Sequence, residues 1–149
     1  MAVRIGVEVD GLRELLRVAS TLPKTAQQEL REAAKMIAED EAPRIKTAAA
    51  GSDRQSAALI GSIRIRRDRV PAIAAGGRGR TSVSGGATAG QLFFGAEFGG
   101  GAKPTTKQFR PHRGRGGYWF FPTLRADQDR MMKRWEGALR AIEREWSGV

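Results

Sequence analysis

The sequence predicts an α+β fold: a mostly antiparallel sheet of about four to five strands packed against a long helix in the N-terminal half and an amphipathic helix at the C-terminus. Val3, Ile5, Val7 and Val9 alternate with Arg4, Gly6, Glu8 and Asp10, the period of two that marks a strand with one buried face. Leu92, Phe94, Ala96 and Phe98 repeat that alternation, as an apolar central strand would. Met131, Met132, Trp135, Leu139, Ile142 and Trp146 recur at helical spacing along one face. A strand, helices, several strands and a closing helix make an antiparallel sheet covered by helices on one face. At 149 residues the chain predicts a single domain, 1–149, with long Gly/Arg-rich loops at about 76–90 and 99–117.

Taken in order, Asp10-Gly11 ends the first strand, and the Asp10 carboxylate can accept from free amides of a following helix. Leu12, Leu15, Leu16 and Ala19 carry that short helix, which stops before Leu22-Pro23 because the residue before proline avoids helical angles. Thr25 and Gln28 have capping-box spacing for a longer helix lined by Leu30, Ala33, Ala34, Ile37, Ala38 and Ile45, and Pro43 is expected to bend or end it. Ser52 and Gln55 offer a second box for a short turn containing Leu59 and Ile60. From Ser62 to Arg67, Ile63 and Ile65 point inward and Arg64 and Arg66 outward, and Val70 to Ala75 is a partner strand. The stretch from Gly76 to Gly90, rich in Gly, Ser and Thr, reads as a mobile hairpin tip or loop. The last helix is expected to begin near Thr123, with Asp127 and Asp129 at the positive end of its dipole.

Composition narrows the function. There is no cysteine, which excludes a disulfide framework, a thiolate zinc site and a cysteine nucleophile. No basic start with an apolar run and cleavage site opens the chain and no window reaches a membrane span, so a soluble protein is expected. A net charge of +10, from 26 Lys and Arg against 16 Asp and Glu, predicts attraction to polyanions or to an acidic protein face. The excess gathers at Arg64 to Arg69, Arg78 and Arg80, and Lys103 to Arg115.

Catalytic chemistry finds no foothold in the sequence. The lone histidine, His112, sits in Arg110-Pro111-His112-Arg113 with no neighbouring carboxylate to orient it, and reads as an exposed loop residue. Glu39-Asp40-Glu41 points in different directions on a helix and is no paired-carboxylate site. Neither Gly76 to Arg80 nor Gly114 to Gly117 is followed by the Lys-Ser or Lys-Thr and helix of a phosphate loop. No cofactor or metal is expected. Phe109, Tyr118, Trp119, Phe120 and Phe121, interleaved with Arg110, Arg113 and Arg115, suit either a stacking surface for single-stranded nucleic acid or, with Trp119 to Phe121 as a buried strand, solvated arginines beside a core. A long basic loop between ordered elements favours a surface that meets a partner.

The order of these segments resembles the neck or tail-completion proteins of long-tailed double-stranded DNA phages, the head–tail joining family. It is carried by the Val-rich strand ending in Asp10-Gly11-Leu12, the Ala-rich helix ending in Ala42-Pro43, and Leu59-Ile60-Gly61-Ser62-Ile63. Phe94-Gly95-Ala96-Glu97-Phe98-Gly99, Phe109-Arg110-Pro111 and Phe121-Pro122-Thr123-Leu124 before the last helix complete it. The family's Thr-Gly pair is replaced by Gly51-Ser52-Asp53, farther upstream, and the insert from Gly99 to Gly117 exceeds a minimal member's.

The resemblance implies a structural, non-enzymatic virion protein, assembled in the host cytoplasm and placed at the head–tail junction. It would be a homo-oligomeric ring, six-fold favoured, between a connector or stopper and a tail-terminator or tail-tube protein, with genomic DNA passing through its lumen and no membrane contact. Phe109, Arg110, Arg113, Arg115, Tyr118 and Trp119 are candidate ring or partner contacts. Arg64, Arg66 and Arg67 are candidate DNA-channel charge, which needs no base-reading geometry. The alternatives are a tail-terminator ring capping the tail tube and a non-specific nucleic-acid-binding protein. A nuclease would need clustered carboxylates for metal, which the sequence does not offer.

Overall fold

The computed structural model describes residues 11–100 and 108–147. The expected strand from Val3 to Val9 and the Asp10 cap lie outside them. In chain order the elements are helices α1 (Leu12–Ser20), α2 (Lys24–Ala50) and α3 (Arg54–Ala57), strands β1 (Arg64–Arg66) and β2 (Ala72–Ala74), and helices α4 (Ala89–Phe98) and α5 (Phe120–Trp146). The expected four-to-five-strand sheet is overturned: the described residues are mostly helical, and their sheet has two strands.

The central correction falls on Leu92 to Phe98, which is helix and not strand. The segment is apolar on nearly every side, so a period of two and a period of 3.6 fit it equally. The decision is made just upstream, where Thr88 accepts from the Gln91 amide and the Gln91 side chain accepts from the Thr88 amide, a full capping box. Ala89, Leu92, Phe93, Ala96 and Glu97 are then buried, the spacing of one helical face.

α2 and α5, 27 residues each, pack along one another as an antiparallel pair, with Arg44 opposite Asp127, Glu41 opposite Arg130 and Asp40 opposite Arg134. Pro43 does not end α2, which runs on to Ala50. It lies on the exposed side, where the one carbonyl it leaves without a helical donor, that of Glu39, can be hydrated. Two apolar clusters line the pair. Near one end Ala19 of α1 joins Ala26, Leu30, Ala34, Ile37, Trp135, Leu139 and Ile142. Near the other, Ile45, Ala49, Leu59 and Ile63 meet Leu92, Phe93, Trp119, Phe120 and Phe121. Completely burying one such Leu or Ile stabilises the fold by about 1.5–3 kcal/mol.

β1 and β2 pair antiparallel in the register Arg64↔Ala74, Ile65↔Ile73 and Arg66↔Ala72, with both arginines outward as alternation requires. The stretch from Gly76 to Gly90 is a closed turn: Arg80 bridges Thr88, and the Thr81 hydroxyl donates to the Ala87 carbonyl at 2.9 Å. Two expected caps are replaced. α2 opens after Pro23 with no side-chain cap, and Asp53, one residue beyond Ser52, caps α3 by accepting from the Ser56 amide at 2.8 Å. Trp135 Nε1 donates to the Arg69 carbonyl at 2.7 Å, while Trp119 Nε1 is buried with no partner among the described residues. Trp146, expected in the core, is 40% exposed.

Candidate functional site

The start of α5 is built across the chain. Glu97 on α4 is fully buried, and its carboxylate accepts from the Trp119 amide at 3.2 Å and the Phe120 amide at 2.6 Å, the first free donors of α5. It thereby acts as an N-cap supplied by another helix, meeting the free amides at the positive end of the dipole with acceptor oxygens. Burial pushes the Glu97 carboxyl up, and the amides of Phe120, Trp119, Tyr118 and Phe121 pull the other way. Consequently α5 begins at Phe120 and not near Thr123, and Trp119 to Phe121 are buried as a helix opening and not as a strand. Gly117 is needed where the chain turns in: its φ is +76°, and a Cβ there would collide with the Glu97 carboxylate.

The described part of the basic loop, 108–117, is fastened down ahead of any partner. The Phe109 ring packs so tightly on Gly95 of α4 that a Cβ at that glycine would sit 2.5 Å from it. Arg110 pairs with Asp53 at 3.1 Å, donates to Ser52 Oγ at 2.7 Å and lies 3.7 Å over the Tyr118 ring. The Tyr118 hydroxyl donates to the Pro111 carbonyl at 2.6 Å, and the Arg113 amide to the Phe98 carbonyl at 2.8 Å. Among the candidate contact residues, Phe109, Arg110, Tyr118 and Trp119 therefore hold the loop in place, with Trp119 inside the core. Arg113, its guanidinium 5.0 Å from the Tyr118 ring centre, and Arg115 are exposed.

Beside the fastened loop lies a groove of about 450 Å³, lined by Phe94, Gly95, Phe98 and Gly99 from α4 and its end, and by His112, Gly114 and Arg115 from the loop. Its apolar wall is the outer part of a stack in which Phe121 supports Phe98 at 5.7 Å and Phe98 supports Phe94 at 6.2 Å. Phe94 is 44% exposed. The groove joins an apolar surface to a cationic edge, an arrangement that takes an apolar side chain with carboxylates beside it.

Of the three candidate channel arginines, Arg64 and Arg66 are on β1 and Arg67 directly follows it in the turn toward β2. Arg64 and Arg66 form no ion pair with a described residue, whereas Arg67 is paired with Glu32 of α2 at 2.6 Å. No cluster of three or more His, Asp or Glu suited to a metal occurs among the described residues.

A further charged group separates the two apolar clusters. Glu41, 1% exposed, meets Arg130 at 3.1 Å, and Asp127 meets Arg44 at 3.1 Å and Arg130 at 3.5 Å. Burial, the nearby Asp127 hydrogen bond and the Asp127 charge push the Glu41 carboxyl up to about 7, against the opposing pull of Arg130 and Arg44. Sequence reasoning rightly spread Glu39, Asp40 and Glu41 over different directions of a helix, but spacing alone does not say which of the three turns inward, and the partners that mark Glu41, Asp127 and Arg130, lie on α5, more than 80 residues away. It missed Glu97 because the Gly76 to Gly90 loop reading takes in Thr88 and so passes over the capping box that Thr88 forms with Gln91. No protein-family model, no curated protein and no solved structure matches the chain.

Proposed function

We propose that this chain is a structural component of a phage head-to-tail interface, a subunit of an oligomeric ring around the DNA channel that joins connector to tail. The observation that supports this best is the groove at the junction of α4, the basic loop and α5. Phe109, Arg110 and Tyr118 hold the described part of its loop, 108–117, in place, so a partner meets an apolar wall and exposed cations without first having to order that part. The order of sequence motifs supplies the phage context, and the helical architecture adds nothing to it. Within the ring, Arg64 and Arg66 are the residues on β1 left to meet a polyanion, and diffuse contact with phosphates requires no base reading.

Sedimentation of the purified protein, alone and with linear duplex DNA across a salt series, tests this reading. Association with its own kind and weak DNA binding are expected. A persistent monomer that binds DNA with a steep salt slope would overturn it in favour of a free nucleic-acid-binding protein.

A further inference from the structure

Three large hydrophobic side chains stand exposed among the described residues: Met36 at 62%, Phe94 at 44% and Trp146 at 40%. Trp146 is tied down through its indole to Glu29 at 3.3 Å, and Phe94 forms a wall of the groove. Met36 lies mid-way along the outer face of α2. Glu29 and Glu32 precede it by seven and four residues and Glu39 and Asp40 follow by three and four, so four carboxylates share its helical face. Three of them touch cations of their own chain, Glu32 to Arg67, Glu39 to Lys35 and Asp40 to Arg134. These pairs are well exposed, where such contacts are weak and re-pair at little cost.

The groove carries the opposite chemistry. From Thr88 to Ala126 the sequence contains one carboxylate, Glu97, and it is fully buried beneath α5. The groove edge therefore presents His112 and Arg115, with the exposed Arg113 between them in sequence, and no acid from its own segment. Met36 is on the part of α2 that carries the cluster around Leu30, Ile37 and Trp135, and the groove lies on the cluster around Phe93 and Phe121, so Met36 and the groove belong to different ends of the α2–α5 pair.

We propose that copies of this chain associate head to tail, with Met36 of one copy seated against Phe94 and Phe98 of the next and the acidic face of α2 set against Arg113 and Arg115. Met suits such a seat, because its flexible thioether packs well against aromatic edges. Two different surfaces in contact make a heterologous interface, and repeated around an axis it closes a ring. The proposal rests on the ring reading given above and names the surfaces that would build it.

The test uses M36E and F94E, both changes at exposed positions, with R115E replacing F94E if the latter fails to fold. Wild-type protein should sediment as an assembly larger than a dimer. Each variant alone should keep its circular dichroism spectrum and self-associate at least about tenfold more weakly. An equimolar mixture should form one-to-one dimers and stop there, because it contains one intact Met36 and one intact groove. Either variant assembling like wild type, or a mixture no better than its components, would overturn the knob-and-groove pairing; if wild-type rings persist, the ring reading stands. A wild type that stops at the dimer would overturn the head-to-tail order. A wild type that stays monomeric alone and on capsids and tail tubes would overturn both readings.

Discussion

Replacing Glu41 by Gln should make the protein more stable at pH 8 and leave it nearly unchanged at pH 4.5. Glu41 sits between the two apolar clusters, 1% exposed, with its carboxyl pushed up to about 7 from an ordinary 4.5. Between those values the folded protein holds a proton that the unfolded chain has released, so stability falls as pH rises through this window. Below pH 4.5 both states are protonated and the contribution is fully present; above 7 it is lost. At 1.36 kcal/mol per unit, the full interval corresponds to at most about 3 kcal/mol, and the half-exposed Arg44 and Arg130 beside the group make about 1–3 kcal/mol the working range. Gln keeps the shape and an oxygen for Arg130, which also retains Asp127 at 3.5 Å. Urea unfolding of both proteins, followed by circular dichroism at pH 4.5, 6 and 8, measures the difference free of other titrating groups. An E41Q variant less stable than wild type by the same amount at all three values would show that Glu41 is an ordinary stabilising ion-pair partner, and the argument from burial would fail.

The α5 cap gives a second expectation. E97A should cost about 2–4 kcal/mol, because it strands the buried Trp119 and Phe120 amides, with E97Q intermediate, both read from thermal unfolding. G117A should cost about 2 kcal/mol or more, since it adds left-handed strain to a collision with Glu97; in an E97A background most of the collision term should vanish, which a double-mutant cycle measures. R110A should lower stability by only about 1 kcal/mol, because the group is partly exposed. It should nevertheless speed hydrogen exchange at Gly100 and Arg113, whose amides bond across the loop base to Arg110 and Phe98.

What the sequence disclosed follows the range of the interactions involved. α1, most of α2, the β1–β2 hairpin and the body of α5 are set by local periodicity, and there the expectations hold to within a few residues. Leu92 to Phe98 misled because its apolar residues satisfy two periods, and the groove was lost with it. In a strand Phe94 and Phe98 would share a buried face with Leu92 and Ala96. In the helix Leu92, Phe93, Ala96 and Glu97 turn inward, which brings Phe94 and Phe98 together, Phe94 to the surface and Phe98 half-buried, one turn apart. The start of α5 was hidden for a different reason, since its cap comes from a carboxylate 22 residues away across a loop. The cationic side of the candidate site was legible as composition in Arg113 and Arg115. That Arg110 serves the fold, and that Met36 stands alone in an acidic face, depends on contacts and exposure that no spacing rule encodes.

Negative-stain imaging of gold-labelled protein added to DNA-filled capsids and to tail tubes of the phage proposed to encode it tests the proposed joining role most directly. A ring of label confined to one end of one of these particles, with joined particles appearing when the other is added, is the outcome predicted here. Particles whose ends stay bare while the protein remains soluble beside them would contradict a place at the head–tail junction.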